Sequence, residues 1–106
     1  ARTVVRMATC EGAKVLGLDG QIGSLEAGKK ADICIVDMNK PHLTPMFSEY
    51  SHLAYAVSGA DVDTVLVNGQ VVMRNRRLTT IDENEAMERV RTISVRVKKS
   101  LNWPEN

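Results

Sequence analysis

The spacing of apolar and polar positions predicts that the chain opens with a helix. The helix is predicted over residues 2–16, where small and apolar positions recur on one narrow face: Val5, Ala8, Gly12 and Leu16. Gly17 follows where a left-handed C-cap is favoured. Because Gly12 costs about 1 kcal/mol of helix propensity relative to alanine, we expect another element to pack closely there. Further residues are expected before Ala1, since the sequence lacks an initiator Met and begins directly in helical sequence.

A glycine-containing loop and a strand are predicted next. Residues 18–31 carry three glycines whose spacing fits neither common phosphate-binding motif, so turn formation explains them. Residues 32–37 hold four consecutive apolar positions between two aspartates. A run without alternation is typical of a strand that is buried on both faces, so we place it at a sheet centre. Cys34 is then expected to be a small buried hydrophobic side chain.

A short helix is predicted after the loop that Pro41 and Pro45 bound. Ser48 can cap it, and it is expected to end at Gly59. Four positions at helical spacing predict one buried stripe: Tyr50, Leu53, Ala54 and Val57.

The strongest local signal is a β-hairpin over residues 62–75. Asn68-Gly69 supplies the two positive φ angles of a type I′ turn between two runs rich in β-branched residues. A two-residue turn predicts five cross-strand pairs: Val67 with Gln70, Leu66 with Val71, Val65 with Val72, Thr64 with Met73, and Asp63 with Arg74.

An amphipathic helix is predicted over residues 82–101, with Pro104 beyond its end. Asp82 and Glu85 have the spacing of a capping box. One apolar stripe runs along the helix: Ala86, Val90, Ile93, Val97 and Leu101. The opposite, charged face is expected to be solvated.

Composition narrows the possible partners and compartments. With 43% hydrophobic and 25% charged residues, 106 residues resemble one ordinary soluble domain. A net charge of +1 gives no pull toward nucleic acid or an anionic membrane, and the basic runs at 74–77 and 98–99 are interpreted as solvated surface. No apolar run approaches the roughly 20 residues of a membrane span. Without a secretory signal, a cytoplasmic location is expected.

The candidate chemistry of the chain is sparse. A catalytic metal needs about three converging ligands, yet His42 and His52 are the only histidines and form no ligand motif. Neither Cys10 nor Cys34 has CxxC spacing, and Ser48 and Ser51 lack a nucleophile elbow. Four acids fall at segment ends and are explained by turns: Asp19, Asp32, Asp37 and Asp61. The sequence therefore predicts no catalytic, cofactor-binding or metal-binding residue within this chain.

The order of several short motifs resembles the tail of the amidohydrolase superfamily. The specific part is IGSLEAGKKADICIVD at residues 22–37, which follows Met7-Ala8-Thr9 and precedes the hairpin. The resemblance is strongest to the cytosine deaminase-like and chlorohydrolase-like branch, which includes S-adenosylhomocysteine and methylthioadenosine deaminases.

The resemblance implies an α/β fold, as the C-terminal fragment of a (β/α)8 barrel with a composite β-sandwich. Residues 1–18 would be the last barrel helix. Residues 19–75 would give the C-terminal sandwich strands with an inserted short helix, and residues 76–106 a linker and an amphipathic helix packed on the barrel.

For function, the resemblance implies a structural part of an enzyme that hydrolyses non-peptide C–N bonds in a purine- or triazine-like ring. Zinc or iron is expected in the parent enzyme and no cofactor in this segment. The expected partners are the rest of the barrel and further copies in a homo-oligomer. Two alternatives stay open: a stand-alone sandwich-like binding or assembly module, and the tail of a dihydroorotase, hydantoinase or imidazolonepropionase.

Overall fold

A computed structural model describes residues 1–103 and shows helices combined with an antiparallel sheet. The helical elements are α1 (Arg2–Arg6), a π-helical turn (Met7–Glu11), α2 (Gly12–Val15), α3 (Glu49–Tyr55) and α4 (Glu83–Ser100), with 3-10 turns at Pro41–Leu43 and Gly59–Asp61. The strands are β1 (Ile33–Val36), β2 (Val62–Val67), β3 (Gln70–Arg74) and β4 (Arg77–Leu78). Their order in the sheet follows the sequence, and every neighbouring pair is antiparallel.

The opening helix forms as predicted, but its close packing involves Ala13 rather than Gly12. Gly17 has a φ of +68°, and the Leu18 amide donates to the Ala13 carbonyl, which completes a Schellman cap. A Cβ at Gly12 would meet the Met7 carbonyl of the π-helical turn within the same helix. The close contact with another element is made by Gly23, whose loop lies directly on Ala13.

The predicted loop is held together by one lysine. Lys29 Nζ donates to the Asp19 carbonyl and to Ser24 Oγ, both at 2.7 Å. Gly23 and Gly28 take positive φ angles, so the glycines serve turns as expected.

The prediction that residues 32–37 form a central strand buried on both faces is wrong for the described chain. β1 forms at Ile33–Val36, but within residues 1–103 it is an edge strand, with β2 as its one neighbour. Cys34 is exposed rather than buried, and so is Ile35. A continuous apolar run needs cover on both faces, and residues 1–103 do not supply it.

The prediction of the β2–β3 hairpin is confirmed at the turn, but the predicted pairing is wrong farther from the turn. Asn68 and Gly69 have φ angles of 49° and 80°, and the first two predicted cross-strand pairs are present. A bulge then makes Val65 face Met73 instead of Val72. The predicted pairings of Thr64 with Met73 and Asp63 with Arg74 are therefore wrong.

A second two-residue turn lies where the sequence analysis placed only a linker. Asn75 and Arg76 both adopt left-handed conformations, with φ angles of 48° and 64°. They bring Arg74 opposite Arg77 and create the short edge strand β4.

The third helix is capped as predicted but ends early and buries little. Ser48 Oγ accepts a hydrogen bond from the Ser51 amide at 3.4 Å. The helix stops at Tyr55, short of Gly59, and no residue in it is buried, so the predicted buried stripe is not formed within the described residues.

The last helix has the predicted length and an uncovered apolar stripe. Asp82 accepts a hydrogen bond from the Glu85 amide at 3.0 Å, while the Glu85 carboxylate pairs with Arg89 instead of returning to the cap. Every residue of α4 is exposed, Val90 to 64%. No segment of residues 1–103 meets the length and apolarity that a membrane-spanning helix requires. Pro104 and the remainder of the predicted 76–106 segment lie outside the described residues.

The chain exposes much more surface than a folded monomer of its mass. Its accessible surface is 8530 Å², whereas a compact 11.7 kDa protein exposes roughly 5,900 Å². Its radius of gyration is 18.9 Å, against about 13 Å for a compact domain of similar length. The buried apolar residues in the part of the chain that the structure describes are Ala13 and Leu43.

Candidate functional site

The most enclosed polar group in the described chain is the carboxylate of Asp61. Its side chain is 4% exposed, and Oδ2 accepts hydrogen bonds from the Ser58 amide at 2.8 Å and from Ser58 Oγ at 3.0 Å. His42 Nε2 lies 3.1 Å from the same oxygen. An ionised carboxylate only accepts, so Nε2 must be the protonated ring nitrogen in this contact.

These donors keep the carboxylate charged. Hydrogen bonds from the Ser58 amide and from His42 lower the pKa of Asp61 to about 2, against an ordinary value of 3.8. The Asp61 carbonyl also accepts from the Asp37 amide at 2.9 Å, at the end of β1. These contacts of Asp61 therefore hold the turn at Pro41–Leu43 and the end of β1 against the start of β2. This role is structural.

His52 is the second histidine that the sequence analysis singled out. Its Nδ1 lies 3.2 Å from the Ser48 carbonyl, and its Nε2 lies 3.2 Å from the Leu43 carbonyl. Both neighbours are carbonyl oxygens, and a neutral imidazole carries one N–H, so the ring donates to Leu43 when the proton is on Nε2 and to Ser48 when it is on Nδ1. The Nε2–H tautomer links the buried Leu43 segment to α3.

The remaining candidates do not meet at a reactive centre within residues 1–103. No group of three His, Cys, Asp or Glu side chains is arranged to hold a metal ion in this part of the protein. Cys10 Sγ donates to the Gly23 carbonyl at 3.1 Å, and Cys34 lies on the sheet edge. Asp32 and Asp37 accept from the backbone amides of Asn68 and Asn39. The residues present do not fit a zinc or iron site.

The sequence predicts an ordinary turn residue at Asp61, whereas the structure buries its side chain. The available signal was its position between Ser58 and the β2 strand, since Ser-x-x-Asp is a capping-box spacing. The contact with His42, 19 positions away, has no sequence signature.

An open groove of about 490 Å³ separates the opening helix from the loop and β1. Its walls are mainly apolar and small, with Ala8, Gly12 and Leu16 on one side and Leu25 and Ile33 on the other. Four polar side chains line it, Thr9, Ser24, Asp32 and Cys34, and the Asp32 carboxylate accepts a hydrogen bond from the Asn68 amide. The groove has the character of a packing surface.

Comparison with known proteins gives these features a family context. The chain is 58% identical over 104 residues to the 5-methylthioadenosine/S-adenosylhomocysteine deaminase 1 of Syntrophus aciditrophicus, covering 98% of this chain and 24% of that protein. It is 51% identical over 92 residues to the 5'-deoxyadenosine deaminase of Methanosarcina acetivorans, covering 87% of this chain and 21% of the relative. The chain thus spans about a quarter of the length of the curated relatives it matches.

Solved structures agree with the fold. A zinc-bound adenosine deaminase from Xanthomonas campestris superposes with a TM-score of 0.87 at 32% identity, over 92% of this chain and 22% of that one. The zinc complex of atrazine chlorohydrolase TrzN from Arthrobacter aurescens gives a TM-score of 0.77 at 27% identity, over 86% of this chain and 20% of the other. Residues 1–72 match the sequence profile of the amidohydrolase family. The chain therefore belongs to the amidohydrolase family.

Proposed function

We propose that this chain is the C-terminal structural part of a metal-dependent amidohydrolase and is not catalytic alone. The observation that carries the proposal is the excess of uncovered surface, which includes the apolar stripe of α4. The chain exposes 8530 Å², where a compact protein of its mass exposes roughly 5,900 Å². Open strand edges and helix faces of this kind are normally covered. Relatives about four times longer have the additional sequence to cover them.

The proposed division of the chain assigns each surface a neighbour. Residues 1–18 pack as the last barrel helix, and their apolar groove receives upstream barrel structure. Residues 19–75 provide the C-terminal strands of the composite sandwich, where a further strand covers β1. Residues 76–106 form a linker and a packing helix, whose stripe lies against the barrel.

For the parent enzyme we propose hydrolytic deamination of a purine ring. Water attacks the ring carbon that bears the amino group, the bond from this carbon to the amino nitrogen breaks, and ammonia leaves. The support is the identity of 58% and 51% to proteins named as adenosine-type deaminases, against 27% to a triazine chlorohydrolase. The zinc of the solved neighbours suggests zinc in the parent as well, held by residues outside this chain.

The experiment that tests the proposal asks which reaction the full-length protein catalyses and whether the 106-residue chain is active alone. The full-length protein is assayed for ammonia release from 5'-methylthioadenosine and, in a second arm, for chloride release from a chlorotriazine. The same protein is then produced as two pieces, divided just before Ala1, and each piece is assayed alone and mixed. We expect ammonia release from the full-length protein and from the mixture, and none from either piece.

A matched pair of variants tests the packing role of α4. Val90→Asp places a charge in the exposed apolar stripe, whereas Thr92→Asp places it on the polar face of the same helix. Only Val90→Asp should prevent recovery of activity in the mixture. Activity from the 106-residue chain alone would refute the structural role, and chloride release without ammonia release would replace the deaminase with the triazine hydrolase.

A further inference from the structure

One short segment of the chain holds both amides of the β2–β3 hairpin turn. The Asn68 amide donates to Asp32 Oδ1 at 2.6 Å, and the Gly69 amide donates to the Ala31 carbonyl at 3.0 Å. The first of these bonds has a charged acceptor, and such bonds are shorter and stronger than neutral ones. Residues 31–32 come directly before β1, so they attach the tip of the hairpin to the neighbouring strand.

Asn68 and Gly69 also form the dipeptide in which asparagine most readily loses its side-chain amide, because glycine has no side chain to hinder ring closure. The Gly69 backbone nitrogen gives up its proton and attacks Asn68 Cγ. The bond from Cγ to Nδ2 breaks, and the amide nitrogen takes up a proton and leaves as ammonia. Water then opens the resulting five-membered imide at either carbonyl, which leaves aspartate or isoaspartate in the chain. Water is the one co-reactant that this sequence of steps requires.

The folded turn opposes ring closure at each of its first requirements. The Gly69 proton is engaged with the Ala31 carbonyl. The Asp32 carboxylate, bound to the neighbouring amide, disfavours a negative charge on the Gly69 nitrogen. With φ angles of 49° and 80°, the two residues form a type I′ turn, in which this nitrogen lies across the Asn68 Cα–C bond from Cβ. The peptide must therefore rotate, and break both hydrogen bonds, before the ring can close.

We infer that Asn68 is a latent deamidation site and that Asp32 keeps it unreactive in the folded protein. Both products weaken the contact that suppresses their formation. Isoaspartate adds a carbon to the backbone of a two-residue turn, on which the pairing of Val67 with Gln70 depends. Aspartate adds a negative charge to the residue whose amide Asp32 binds, and like charges repel. Loss of the Asp32 contact therefore leads to progressive damage at this turn.

The test measures deamidation of Asn68 in the full-length protein during incubation in mildly alkaline buffer. Mass spectrometry of the peptide that contains Asn68 detects the change of amide to carboxyl, and labelling with a protein isoaspartate methyltransferase detects isoaspartate. The folded protein should react more slowly than the same protein in guanidinium chloride. Asp32→Ala should raise the folded rate about tenfold, because a hydrogen bond to a charged acceptor no longer keeps the turn closed.

Asp37→Ala is the matched control, because Asp37 Oδ1 accepts from the Asn39 amide at 2.9 Å at the other end of β1. It removes the same kind of bond and should leave the rate at Asn68 unchanged. A folded protein that reacts as fast as the denatured one would overturn the inference. An Asp32→Ala rate no higher than that of Asp37→Ala would overturn it as well.

Hydrogen exchange separates local opening of the turn from general unfolding of the variant. Asp32→Ala should accelerate exchange of the Asn68 and Gly69 amides and leave the amides of the β1–β2 ladder as protected as before. Equal acceleration at the turn and in the ladder would overturn the local role of Asp32. Neither readout depends on deaminase activity, so failure here is separate from failure of the proposed function.

Discussion

Gly23 is the position where the structure predicts the most specific cost of adding a single methyl group. A Cβ there would lie 2.7 Å from Ala13 Cβ, 3.1 Å from the Thr9 carbonyl oxygen and 3.3 Å from Cys10 Cα. Two of the three atoms are backbone, so they cannot move aside by changing a rotamer. The residue also has a φ of +90°, which side-chain-bearing residues rarely adopt.

The expected loss of stability for Gly23→Ala is the sum of two effects. The left-handed conformation costs about 1–2 kcal/mol for an L-residue, and overpacking costs about 1–3 kcal/mol. We therefore expect the free energy of unfolding to fall by about 2–5 kcal/mol. Gly28→Ala is the matched control, because Gly28 has a φ of +91° and a Cβ added there would meet no atom within 4 Å. Gly28→Ala should lower the free energy of unfolding only by the cost of the left-handed backbone, about 1–2 kcal/mol.

The assay is denaturant unfolding of the full-length protein, with the midpoints compared at constant slope. Adding Ala13→Gly to Gly23→Ala should restore part of the loss, because it removes the nearest atom, although glycine costs the helix about 1 kcal/mol. The double-mutant cycle should therefore show a favourable coupling. If Gly23→Ala were no worse than Gly28→Ala, the close packing of the loop on the opening helix would be refuted.

Three other positions give shorter tests, each read by unfolding of the full-length protein. Asp61→Asn should lower the free energy of unfolding above about pH 4, and the difference from the unmodified protein should vanish as pH falls towards 2. The reason is that a carboxyl with a depressed pKa stabilises the fold only while it is ionised. A difference that does not change with pH would contradict this. Asp82→Ala should cost about 1 kcal/mol through loss of the cap on the Glu85 amide, with Asp82→Ser as the control that keeps a cap. Gly69→Ala should cost about 1–2 kcal/mol, because its φ is +80°; an unchanged midpoint would argue against the type I′ turn.

Local signals predicted the elements whose determinants lie within a few residues. The Asn68-Gly69 turn, the Asp82 cap and the Gly17 C-cap are all present, since each depends on backbone angles or hydrogen bonds of neighbouring residues. The bulge beside Val65 was not predicted, because no residue type marks it. The turn at Asn75 was missed because a left-handed arginine follows the asparagine where glycine is usual.

Predictions about burial failed where they depended on a neighbour that the described chain does not contain. Ile33–Val36 has the composition of a central strand but is found at a sheet edge. The α4 stripe has the spacing of a packed helix and is exposed along its whole length. Hydrophobic spacing predicts that a face requires cover without identifying what covers it. The contact between His42 and Asp61 could not be predicted from the sequence either, since it joins distant segments through a single hydrogen bond.

Hydrogen exchange tests most directly the claim that the rest of the parent protein covers this chain. Amide exchange is measured over β1 and α4 in the full-length protein and in the 106-residue chain alone. We expect strong protection of both elements in the full-length protein and rapid exchange of the α4 amides in the chain alone. Equal protection of β1 and α4 in the two samples, with the isolated chain monomeric, would contradict it.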